Sequence, residues 1–148
     1  MNDSYYMQRA LALAAQAEQQ NEVPVGAVLV YEGQIIGEGF NQVITLNDSS
    51  AHAEVQAIRA AGLQVNNYRL VESTLYVTLE PCSMCAGLIT HARVKRLVFG
   101  ATDPRTGAVE SAIKVLNHDC MNHKVEVTGG VLAAECGEIL RNFFRKRR

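Results

Sequence analysis

Apolar residues fall at helical spacing near the two ends of the chain and in short continuous runs between them. From position 4 to 20, Tyr6, Ala10, Leu13, Ala14 and Ala17 share one stripe. That spacing predicts an amphipathic helix, capped by Asp3 or Ser4 and ended by Asn21-Glu22-Val23-Pro24. Residues 25–31 and 34–40 are β-rich runs joined at Glu32-Gly33, which reads as a hairpin. A polar loop, 41–50, follows, then a second helix over 53–61 stopped by Gly62. TLYVTL, 74–79, is a strong strand feeding directly into a helix over 82–91. A further strand at 95–100 leads to a loop holding Asp103-Pro104 and Gly107. A short helix is expected over 109–116 and a short strand over 124–127. The last helix, 131–147, places Leu132, Cys136, Ile139, Leu140, Phe143 and Phe144 at helical spacing.

Five strands interleaved with helices predict an α/β chain: a three-layer α-β-α sandwich around a central mixed five-stranded sheet. At 148 residues, without repeat or linker, the expectation is one domain over 1–148. No stretch approaches the length of apolar residues that crosses a membrane, and the N-terminus lacks a signal-peptide pattern, so a cytoplasmic location is expected.

Charge changes this picture at one end only. The net formal charge is −1, but five of the fourteen basic residues lie in the last eight, RNFFRKRR, which contain no acid. Nine bases against fifteen acids remain, a net −6 over the first 140 residues. A basic tail on an acidic body suits a polyanionic partner, although bases also favour the negative end of a helix dipole.

The chemistry gathers at two helix starts. Cys82 and Cys85, behind Pro81, suit three sites: a redox pair, half of a structural zinc clip, or part of a catalytic metal site. Cys120 and Cys136 stand sixteen positions apart and form no second pair, so both read as small hydrophobes. A catalytic zinc needs only three protein ligands and keeps a fourth position open. His52 at the opening of the second helix supplies the third, and Glu54 can turn into the same cleft. Alone, His52 reads as a capping or surface histidine and Glu54 as an acid complementing the helix dipole. Together, His-x-Glu at one helix start and Pro-Cys-x-x-Cys at another match the zinc deaminase signature. Glu80, the one charge in LEPCSMCA, receives no role.

At these residues the chain resembles the zinc-dependent cytidine deaminase superfamily and, more narrowly, the bacterial tRNA-specific adenosine deaminases. HAE and TLEPCSMC carry the first likeness. VPVGAVLV, GEGFN, VFGATDPRTGA, MNHKVEVTGG and NFFRKRR, in that order, carry the second over nearly the whole chain. The resemblance implies a cytidine deaminase-like fold and one Zn²⁺ per chain held by His52, Cys82 and Cys85. It implies Glu54 as proton shuttle and the wobble adenosine of a tRNA anticodon stem-loop as target. It further implies substrate contacts by Asn41, by Val25 in the pocket wall, by the backbone N–H of Ala53 and by Asp103, and a homodimer. Phe144, an aromatic among arginines, suits stacking on unpaired RNA bases. The nearest alternative is a free-base or nucleoside deaminase with the same zinc chemistry. A nucleic-acid module with structural zinc and a redox protein are the rivals from other classes.

Overall fold

The computed structural model describes residues 1–148. Nine elements follow in chain order: α1 (Asp3–Gln19), β1 (Gly26–Tyr31), β2 (Gln34–Phe40), α2 (Ala53–Val65), β3 (Thr74–Leu79), α3 (Ser83–His91), β4 (Arg96–Ala101), β5 (Glu126–Thr128) and α4 (Ala133–Lys146). The strands form one sheet in the order β2-β1-β3-β4-β5. β1 is antiparallel to β2 and β3, whereas β3, β4 and β5 are mutually parallel. The sheet is therefore mixed and five-stranded, as the run pattern predicts.

Both faces of the sheet are covered, which is why its central strands read as unbroken apolar runs. Along β1, β3 and β4, Val28, Val30, Tyr76 and Val98 meet Tyr6, Met7, Ala10 and Leu13 of α1 and Cys136 of α4. The alternate residues Ala27, Leu29, Leu75, Val77, Leu97 and Phe99 meet Ala53, Ala57, Ile58 and Ala61 of α2 and Ala86 and Ile89 of α3. Three layers result. Gly37 and Gly39 let β2 lie directly on α2: a Cβ at Gly37 would stand 2.2 Å from the carbonyl oxygen of Ala57. The helix bearing His52 and Glu54 is thus seated on the sheet backbone.

Four differences from the pattern have a local reason. The α1 cap is Asn2, whose side chain accepts the Tyr5 N–H at 3.0 Å. α2 continues through Gly62, because the cost of glycine in a helix, about 1 kcal/mol, is small beside the packing of its alanine face. It stops at Asn66, which takes the left-handed conformation (φ 55°) that ends helices. α4 begins after Leu132, also left-handed (φ 53°). The helix expected over 109–116 is absent: its first three amides, of Val109, Glu110 and Ser111, bond to the buried Glu80 carboxylate instead.

Candidate active site

Strand register brings the chemistry to one end of the sheet. Gly26 pairs with Phe40, Ala27 with Val77 and Leu79 with Ala101. The residues just beyond these pairs, Val25, Asn41, Glu80 and Thr102, therefore share an edge. This edge is also the carboxyl end of the parallel strands, where open α/β sheets bind ligands.

His52 and Cys82 occupy equivalent positions there. Each is the N-cap of its helix, extended (φ −76° in both), and neither side chain caps its own helix. Both side chains are therefore free to turn into the cleft. The missing cap on α2 is supplied from a distance: Asn41 Oδ1 accepts the Ala53 N–H at 2.8 Å. The Ala53 amide is thus already engaged by Asn41.

His52 Nδ1 stands 3.7 Å from Cys82 Sγ and 3.7 Å from Cys85 Sγ. All three candidate ligand atoms lie within 4.8 Å of one another. An ion about 2.1 Å from a nitrogen and about 2.3 Å from a sulfur, at the tetrahedral angle, leaves those atoms about 3.6 Å apart. One imidazole and two sulfurs at this spacing fit a single zinc ion with one position open. The charges agree. The Cys85 thiol and His52 beside it lower Cys82 to about 4, keeping it a thiolate, while that thiolate pushes Cys85 up. The same thiolate raises His52.

Glu54 is buried at 4% exposure and lines the same cleft as His52 and Cys82. Burial pushes its carboxyl up to about 7, and the Cys82 charge adds to this. A carboxyl so placed takes up and returns protons near neutral pH, the property a general acid-base group needs.

The cleft is a cavity of about 520 Å³, and Val25, Asn41, Leu79, Glu80, Phe143 and Arg147 line it with His52, Glu54 and Cys82. Val25 and Asn41, expected at the substrate, both line this cavity. Asp103 does not line the cavity: its carboxylate accepts the N–H groups of Arg105 and Thr106 and the Thr106 hydroxyl, closing its own turn. Phe144 is 47% exposed beside the cleft.

The family model for MafB19-like deaminases matches residues 1–148. A curated tRNA-specific adenosine deaminase of Haemophilus influenzae is 55% identical over 147 residues, spanning 99% of this chain and 85% of that protein. The chain belongs to the tRNA-specific adenosine deaminase family. A solved tRNA:A34 deaminase, described in a study of A-to-I editing at the wobble position, superposes with a TM-score of 0.89 at 44% identity, covering 92% of this chain and 99% of its own. A guanine deaminase of Bacillus subtilis is also similar, with a TM-score of 0.66 at 43% identity, covering 69% of this chain and 66% of its own.

Four cleft residues of this family member escape a reading of sequence. Phe143, the buried neighbour of Phe144, faces the cavity. Arg147 lies 3.5 Å over the Phe143 ring and donates to Asn21 Oδ1, fastening the end of α4 to the turn after α1. Glu22 and Glu80, both 2% exposed, each hold a loop at the cleft mouth. Glu22 accepts from the amides of Ile44 and Thr45 and from the Thr45 hydroxyl. Their partners lie 22 to 31 positions away, beyond any local sequence signal.

Proposed function

We propose that the chain, acting as a single domain over 1–148, deaminates adenosine to inosine at the wobble position of a tRNA anticodon stem-loop. One observation carries this reading: a single cavity is lined both by His52, Glu54 and Cys82 and by Phe143 and Arg147 of the basic C-terminal helix. The first group suits hydrolytic deamination; the second suits a substrate larger than a free base. Phe144, 47% exposed next to Phe143 and among cations, matches the stacking and phosphate contacts that bind single-stranded RNA.

In this reading His52, Cys82 and Cys85 hold one zinc ion, whose chemical contribution is to make water acidic enough to attack near neutral pH. Glu54 takes a proton as water adds to the ring carbon bearing the amine, and delivers it to the adjacent ring nitrogen. It then carries the proton that ammonia needs to leave, so adenosine and water become inosine and ammonia. Val25 walls the base. Asn41, its Oδ1 fixed by the Ala53 N–H, presents its remaining donor to the base edge. Asp103 and Phe144 meet the RNA outside the cavity, at the loop after β4 and on α4.

The partner in solution is a second copy. Ile58, Leu63, Tyr68, Leu88 and Ala92 line an apolar groove of about 700 Å³ between α2 and α3, with Leu63 85% and Tyr68 77% exposed. Light scattering on Leu63→Glu should report a monomer where the parent chain is a dimer. No helix is long and apolar enough to cross a membrane, and the setting proposed for the enzyme is the cytoplasm with its tRNA pool.

A purine-base deaminase is the second reading, favoured by the 43% identity to the guanine deaminase. Incubation with a transcribed anticodon stem-loop, in parallel with free guanine and free adenosine, separates the two. Inosine in the RNA without turnover of the free compounds supports tRNA. Guanine turnover with untouched RNA overturns it.

A further inference from the structure

Glu80 sits between the end of β3 and the Cys82 turn, and its carboxylate is saturated with donors. Oε1 accepts the Asp103 N–H at 3.0 Å and the Ser111 hydroxyl at 2.5 Å. Oε2 accepts the N–H groups of Val109, Glu110 and Ser111 at 3.1, 2.9 and 3.0 Å. It is absent from the ion pairs, all of which join other residues, so the only compensation for its charge is this ring of dipoles. Such a ring stabilises a carboxylate and at the same time fixes every group that contributes to it.

The segment 102–111 contains neither helix nor strand, so side-chain and loop contacts hold it in place of a regular ladder. Gly107 passes so close that a Cβ there would meet the Glu80 carboxyl carbon at 2.5 Å. The main chain repeats the attachment on both sides: Glu80 N–H donates to the Ala101 carbonyl and Ala108 N–H to the Pro81 carbonyl, each at 2.8 Å. One short stretch, 80–82, therefore carries a zinc ligand at Cys82 and the anchor of a loop whose first hydrogen-bonded residue is Asp103.

We propose that Glu80 is a positioning residue for the RNA. Its carboxylate holds the loop 102–111 at a fixed distance from the Cys82 turn, so that RNA engaged at Asp103 delivers its base in register with Glu54 and the zinc ligands. This extends the tRNA reading given above and rests on it. The physical need is plain: flipping a base into a cavity costs unstacking energy, which backbone contacts on a firmly held loop repay in binding, so a loosened loop is read in KM.

The test compares Glu80→Gln and Ser111→Ala with the parent chain. Glutamine keeps the size but replaces one acceptor oxygen by an NH₂ that confronts N–H donors. Three readouts are taken well below the melting temperature: zinc content, amide hydrogen exchange, and kcat and KM on an anticodon stem-loop. Expected for Glu80→Gln are one zinc per chain and faster exchange confined to the amides of 103 and 109–111. KM should rise about tenfold with kcat within about threefold of the parent. Ser111→Ala removes one of five donors and should raise KM about threefold; it decides the matter if Glu80→Gln does not fold. A role confined to stability predicts an unchanged KM in the folded variants, and that result overturns the proposal. A parent chain inactive on RNA overturns the tRNA reading and this extension together, whereas an active parent with unmoved variant kinetics overturns the extension alone.

Discussion

Glu54 and Glu22 are both buried carboxyls on the wall of one cavity, yet the protein pushes them in opposite directions. Burial raises Glu54 to about 7, where its own amide is the only backbone donor available to it. Burial also acts against the charged form of Glu22, but the Thr45 hydroxyl and the amides of Thr45 and Ile44 outweigh it and hold Glu22 below the usual range. Glu80 follows Glu22: its ring of donors overcomes burial and holds it low. Burial alone therefore does not decide whether a carboxyl is a proton carrier or a structural anion. The donor count does.

The comparison is tested hardest by removing the proton carrier. Glu54→Gln should cut inosine formation by about 10²- to 10⁴-fold while zinc content and melting temperature hold, because few hydrogen bonds are lost. Metal analysis beside a deamination assay checks it; retained activity would remove Glu54 from the chemistry. Chelation of the metal should also abolish activity, with recovery on adding zinc back, and should lower the melting temperature because the ion binds only the folded arrangement.

Glu22→Gln should behave in the reverse way. It should destabilise the fold by about 1–3 kcal/mol, read by denaturant unfolding, and leave the zinc bound. Its pH dependence has a fixed sign. The folded-state pKa lies below the ordinary 4.5, so the stabilisation is complete above that value and is lost as pH falls through the lower folded value. The gap between parent and Glu22→Gln should accordingly be widest near neutrality and close at strongly acidic pH. A gap that widens on acidification would invert the assignment. Thr45→Val takes away one hydroxyl donor and should cost least, about 0.5–1.5 kcal/mol.

Much of the fold was legible before any coordinates. The stripe from Tyr6 to Ala17, the TLYVTL run and the unbroken apolar run along β1 are local features of the sequence, and all five strands appear. The zinc-binding group was legible too, since a histidine and two cysteines at helix starts limit the chemistry strongly. The segment 109–116 was not. Its composition permits a helix, but the amides of Val109, Glu110 and Ser111 take a better acceptor that folding places beside them. Asp103 closes its own turn with its side chain, a contact that its place before Pro104 suits.

The sequence by itself determined the layers, the strands and the metal-binding set of side chains, because periodicity and residue chemistry are local properties of the chain. Tertiary structure decided which buried carboxyls are ringed by donors and anchor loops, and left Glu54 without such a ring. It also gave the cleft wall to Phe143 and the exposed flank to Phe144, and engaged the Ala53 amide with Asn41. Each of these depends on donors, rings and solvent brought from more than ten positions away, and long-range proximity is the one quantity that no local pattern encodes.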